Sequence, residues 1–72
     1  MTYTTYEIQT NNGYGWTHYT GEHTYADAVL TYDTVPAYFM HRVRLVERVY
    51  TKNPSLYNAT AKLIKRKVLK LK

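Results

Sequence analysis

Arg42, Arg44 and Arg48 recur at even spacing in the second half of the chain, and Lys62, Lys65, Arg66, Lys67, Lys70 and Lys72 crowd its last eleven residues. Rows of fixed positive charge neutralise phosphates or carboxylates, so the chemistry these residues suit is recognition of an anionic partner. Tyr14, Trp16 and Tyr19 lie in and just after "NNGYGW". Exposed rings of that kind stack on bases or anchor protein contacts. The candidate anion-binding residues are therefore Arg42, Arg44, Arg48, Lys62, Lys65, Arg66, Lys67 and Lys70, and the candidate aromatic contacts are Tyr14, Trp16 and Tyr19. A plainer account competes with this one. Trp16 can anchor the core, many of the nine tyrosines can pack, and a charge run can be only a solvated face.

Catalytic and metal chemistry find less support. His18 and His23 form the nearest histidine pair, with His41 distant and no cysteine to complete a tetrahedral zinc site. Serine occurs once, at Ser55, where the preceding Pro54 marks a turn. Gly13 and Gly15 lie between two candidate strands, whereas a phosphate-cradling loop leads into a helix N-terminus. The expectation is a protein that is not an enzyme and holds no metal or cofactor.

The charge is divided by position. Residues 1–40 carry four carboxylates and no lysine or arginine, a balance of −4, while residues 41–72 carry all ten cations against Glu47, a balance of +9 that yields the net +5. Such a block division points to an anionic partner for the basic half, or to an acidic half lying against a basic one. At 72 residues the chain is expected to form a single domain, 1–72, whose core only just offsets the entropy of ordering it. That leaves little room for a large pocket. No stretch reaches the roughly 18 to 20 apolar residues that cross a bilayer, and "MTYTTYEIQT" lacks the form of a signal peptide. Cytoplasm is the expected compartment.

Local patterning sketches the elements that must position these residues. In "TYEIQT", Tyr6, Ile8 and Thr10 alternate with Glu7 and Gln9, the period of a half-buried strand. Asn12-Gly13 favours a tight hairpin turn, with Gly15 as a second permissive position. "WTHYT" returns as a second strand, which Gly21 is expected to break. Thr24 as N-cap, Asp27 in the first turn, and Tyr25, Ala28, Val29 and Tyr32 at helical spacing predict a helix over Tyr25–Asp33, ended by Val35-Pro36. "HRVRLVERVY" reads as the strongest strand, with Val43, Leu45 and Val49 on one face and the three arginines on the other. Glu47 on the apolar side and Val46 on the charged side imply either cover on both faces or a bulge.

The basic C-terminal element, 54–72, is expected as a helix capped by Asn53-Pro54. That conformation gathers Leu56, Ala59, Leu63, Ile64, Val68 and Leu71 into one arc, with Lys62, Lys65, Arg66 and Lys72 opposite. In "AKLIKRKVLKLK", Leu63, Ile64, Val68 and Leu71 are expected to pack on the domain and the lysines to face outward. A fourth strand is the alternative. The fold class is therefore α+β: a small antiparallel sheet of three or four strands with one helix across a face, in the order β-β-α-β plus the basic element.

"TYEIQTNNGYGW" as an opening hairpin, "TYADAVLTYD" as a helix and "HRVRLVERVY" as a closing strand resemble, over residues 3–50, the small accessory proteins encoded by tailed bacteriophages. The resemblance implies a protein made in the cytoplasm of an infected bacterium. There it would bind and modulate or block a host macromolecule, including defence systems such as CRISPR or restriction. The basic extension after Asn53 departs from that pattern, and the resemblance assigns no functional residue. The expected partner is a host protein or protein–nucleic-acid complex. Direct binding of DNA or RNA is the alternative, and an anionic membrane surface ranks behind both because the tail holds no aromatic anchor after Tyr57.

Overall fold

The computed structural model describes residues 2–37 and 41–72. Strands β1 (Tyr3–Asn11) and β2 (Trp16–Glu22), helix α1 (Tyr25–Thr34), and strands β3 (Arg42–Tyr50) and β4 (Leu63–Leu71) follow in chain order. All strand pairs are antiparallel and the sheet order is β2-β1-β3-β4, so β1 and β3 are internal while β2 and β4 form the edges.

The opening hairpin forms as its sequence predicts. Gly13 and Gly15 take positive φ (105° and 116°), and Asn11 Oδ1 accepts from both of their amides, at 2.8 and 3.3 Å. A bulge falls in β2. The register shifts between Ile8 and Gln9, which pair with Thr20 and His18, so that Tyr19 has no cross-strand partner. Gly21 does not break the strand, because it pairs with Glu7 and β2 runs on to Glu22.

Helix α1 starts where its cap signal lies, with Thr24 Oγ1 accepting from the Asp27 amide at 3.2 Å. It ends at Val35. Ala28, Tyr32 and Val35 pack on Ile8, Val43 and Leu45, with Tyr6, Val29 and Leu69 at the margin of this cluster. Tyr25 is half exposed but sets its ring edge-to-face against Tyr6 at 5.9 Å. Burial and the neighbouring Asp33 carboxylate raise the Tyr32 phenol above its ordinary pKa. The helix packs on β1, β3 and β2 but stops short of β4.

Strands β1 and β3 pair without interruption from Tyr3–Tyr50 to Asn11–Arg42, so no bulge in this pair accounts for Glu47 and Val46. Glu47 shares the helix-side face with Tyr6, its partner, and with Lys67 of β4. Val46 lies on the opposite face beside Glu7 and is fully buried there. Among the described residues, no element covers that face. The side chains standing around Val46 shield it, so of the two alternatives the sequence left open, cover or a bulge, the unbroken β1–β3 register and the burial of Val46 fit cover, supplied by side chains and not by a further element.

The C-terminal element is a strand, contrary to the expected helix. Asn53 does start a turn, its side chain accepting from the Ser55 amide and its carbonyl from Leu56 and Tyr57, but the turn is not propagated. Thr51 and Lys62 then bond to each other, and β4 pairs along the outer side of β3. Two physical reasons favour this outcome. An isolated helix of this length is marginal in water, while the outer edge of β3 offers a row of backbone donors and acceptors. The Lys65, Arg66, Lys67 run also does not conflict with a strand whose two faces both meet water, because alternation is demanded only where one face is buried.

The packing expected of the tail is accordingly overturned. Leu63, Ile64, Val68 and Leu71 are exposed, as is Leu56, and Leu69 is the tail residue that reaches the core. Lys72 turns inward instead of outward: its Nζ donates to the Tyr32 carbonyl at 2.6 Å and lies 4.5 Å from the centre of the Tyr32 ring, where it meets the negative end of α1.

These differences set opposite expectations for two leucines. Leu45→Ala is expected to cost about 2–5 kcal/mol, while Leu63→Ala, at a side chain 49 % exposed, is expected to change stability by no more than about 0.5 kcal/mol. Urea unfolding of both variants checks the contrast. Comparable losses would mean that the tail leucines belong to the core.

Candidate functional site

Alternation along β3 sends Arg42, Arg44, Val46 and Arg48 to the face away from α1, and pairing brings them beside the polar residues of β1. Gln9 pairs with Arg44, Glu7 with Val46 and Thr5 with Arg48. A connected set of side chains results. Glu7 Oε1 accepts from Arg48 Nη2 at 2.9 Å and from Gln9 Nε2, and Glu7 Oε2 meets His18 Nδ1 of β2. Gln9 Oε1 in turn accepts from Arg44 Nε at 2.6 Å, and the Arg44 guanidinium lies 4.2 Å over the Trp16 ring.

Glu7 and Gln9 are buried although they stand on a face that no element covers. The side chains of Arg44, Arg48, Trp16 and His18 provide the cover. A carboxylate in such a place needs its charge and its lone pairs matched, and three donors from three strands supply that. Burial pushes the Arg44 pKa down. Arg66 adds to this, Glu7 opposes it, and Arg48 adds again, so Arg44 stands in a cluster where cations outnumber carboxylates.

The candidate anion-binding residues therefore divide into two groups. Arg44 and Arg48 are half-buried and already engaged by Gln9, Trp16 and Glu7. Arg42 is exposed at the end of β3. Lys62, Lys65, Arg66, Lys67 and Lys70 are all exposed, and among the described residues none of them has an ion pair with a carboxylate. Nor do they form one stripe. Arg66 faces the same way as Arg48, its cross-strand partner, whereas Lys65 and Lys67 pair with Val49 and Glu47 and so face the other way, beyond the reach of α1. Directly opposed arginines repel unless an anion lies between or near them.

The aromatic candidates divide too. Tyr14 is 94 % exposed at the hairpin tip, and Tyr19 stands exposed on the edge strand β2. Trp16 is half-buried with a ring face taken by Arg44, so it is part of the sheet's own packing. β2 and β4 are opposite edges, so the exposed rings and the β4 cations do not interleave along one strand.

Glu7 and Gln9 were not among the sequence candidates, and His18 was weighed only as half of a metal pair. Their signal was present in "TYEIQT", whose polar phase holds Glu7 and Gln9 together, but their role depends on β1 lying beside β3. Among the described residues, no group of three or more histidine or acidic side chains is placed to hold a metal ion, and no helix is long and apolar enough to cross a membrane. No protein-family model, curated protein or solved structure matches the chain.

Replacing Glu7 tests whether its carboxylate holds these strands together. Glu7→Gln is expected to destabilise by about 1–3 kcal/mol, below the about 3–5 kcal/mol for breaking a fully buried pair, because the Arg48 side chain keeps 29 % exposure. The measurement is urea unfolding of the single variants and of the double variant with Arg48→Gln. A double variant no less stable than Glu7→Gln alone indicates that the two residues act as a pair, and additive losses indicate that they do not.

Proposed function

We propose that this protein acts without chemistry of its own, by binding an anionic host macromolecule through β4 and the adjoining exposed end of β3. The observation that carries this reading is the state of the charges. The buried carboxylate of Glu7 and the helix C-terminus take up Arg48 and Lys72, while Lys62, Lys65, Arg66, Lys67 and Lys70 are solvent-facing and, among the described residues, in no ion pair with a carboxylate, Glu47 opposite Lys67 being the one carboxylate paired across from them. Unmatched like charge on one edge repels itself, and a complementary surface relieves that repulsion. The resemblance of residues 3–50 to accessory proteins of tailed bacteriophages is the reason to read the target as a host protein or protein–nucleic-acid complex, a defence system included. Modulating such a target requires occupancy of its surface, and this reading asks for no catalytic group.

Direct binding of DNA or RNA is a second reading, favoured by Tyr14. This ring is almost fully exposed at the hairpin tip, which follows Asn11, the partner of Arg42, so an unoccupied aromatic surface and an exposed arginine share one end of the sheet. Salt separates the two readings. If Lys62 and the four β4 cations each neutralised a duplex phosphate, affinity would fall about 500-fold between about 50 and 200 mM salt.

The test pairs fluorescence anisotropy of labelled single- and double-stranded DNA and RNA with affinity capture from a bacterial lysate. Under the leading reading the lysate yields a specific protein or complex, and the double substitution Lys65→Glu, Lys67→Glu weakens its binding about tenfold or more. Steeply salt-dependent binding of bare nucleic acid would replace it with the second reading. Capture that is indifferent to the charge reversal would overturn both.

A further inference from the structure

Among the described residues, the outer edge of β4 is a row of backbone groups with no strand beside it. Which residues point that way follows from the register. Val43 and Lys72 exchange both backbone hydrogen bonds, and the Thr51 amide donates to the Lys62 carbonyl, so the odd-numbered residues of β3 face β4. Their partners in the stretch between the two register shifts, Lys65 and Lys67, turn their amides inward to β3. Arg66 and Val68 pair with Arg48 and Val46, and their N–H and C=O groups point to the free edge.

We propose that this edge accepts an acidic, extended segment of a partner protein as a fifth strand, paired over Lys65–Val68. The inference rests on the reading of β4 as the contact surface and specifies the partner and the mode. Charge selects the occupant. An added strand sets one residue against each of Lys65, Arg66, Lys67 and Val68, so the segment that fits carries three successive carboxylates and an apolar residue beside them. The carboxylates opposite Lys65 and Lys67 fall on one face and the one opposite Arg66 on the other, where it also meets the Arg48–Arg66 pair. A second copy of this chain is the wrong occupant, because edge-to-edge pairing would bring the four cations of one β4 against four more. Nucleic acid could use the lysines but has no amide ladder to offer the free backbone groups.

The experiment uses the full chain and a labelled peptide of about nine residues with three successive glutamates flanked by valines, a pattern that fits either strand direction. Two further peptides carry N-methyl groups on alternate residues, in opposite phases, so that only one of them loses the amides that would face β4. The expected result is salt-sensitive binding of the parent peptide, weakening of about tenfold or more for one N-methylated phase only, and new exchange protection of the Arg66 and Val68 amides in the complex. Val68→Pro is expected to weaken binding to a similar degree while keeping every charge, since its lost N–H faces the free edge, where proline is tolerated. A circular dichroism spectrum and melt confirm that this variant folds, and if it does not, the N-methylated pair tests the same backbone bonds with the native protein.

Equal binding of the two N-methylated peptides, without new protection at Arg66 and Val68, overturns strand addition and leaves the basic surface standing. Failure of the acidic peptide alongside salt-dependent binding of DNA or RNA overturns it in favour of nucleic acid. A dimer in sedimentation whose Arg66 and Val68 amides are protected without peptide overturns it in favour of a second copy. Absence of binding to the peptide, to nucleic acid and to any lysate component removes the reading on which the inference rests.

Discussion

The Glu7 carboxylate stands on an internal strand of the sheet and takes donors from β1, β2 and β3 at once. It is buried on a face that no helix covers, so it holds its place only because Gln9, His18 and Arg48 match it. Much else on that face depends on the same arrangement. Gln9, fixed by Glu7, orients Arg44, and Arg44 lies across Trp16. These long side chains in turn keep water from Val46, which contributes buried apolar area without a second layer. A 72-residue chain thereby gains packing on both sides of its sheet from a single helix.

The same arrangement determines where the positive charge of the molecule is available. The even-numbered arginines of β3 are directed to the face that holds Glu7, which takes one of them and, through Gln9, fixes another. Lys72 is drawn to the C-terminal end of α1. Most of the cations left over stand on β4, the edge strand that α1 does not reach, with Lys62 just before it and Arg42 at the start of β3. Lysines on an exposed edge oppose pairing with another such edge, which permits a long free strand without self-association. Under the proposed function, that same row of charge is what the partner meets.

The hairpin and the helix were legible because their signals are local. Asn12-Gly13 and the Asn11 side chain fix one, and Thr24 with Asp27 fixes the start of the other. The β3 alternation also read correctly, including the mismatch of Glu47 and Val46 that the buried, uncovered face now explains. The tail misled for a physical reason. A strand wet on both faces needs no alternation, so the arc formed by Leu63, Ile64, Val68 and Leu71 on a helical projection implied a buried face that does not exist. Of the site, sequence located the cations but not which were already engaged. That distinction rests on Glu7 meeting Arg48 and Gln9 meeting Arg44, contacts created only when β1 and β3 come together.

The measurement that bears most directly on this account is amide hydrogen exchange, residue by residue, along β4 in the free protein. A strand bonded to β3 on one side and open on the other predicts slow exchange at Lys65 and Lys67 and fast exchange at Arg66 and Val68. Continuous protection from Lys62 through Leu69, as in a packed helix or a strand with neighbours on both sides, would contradict it, and so would uniformly fast exchange.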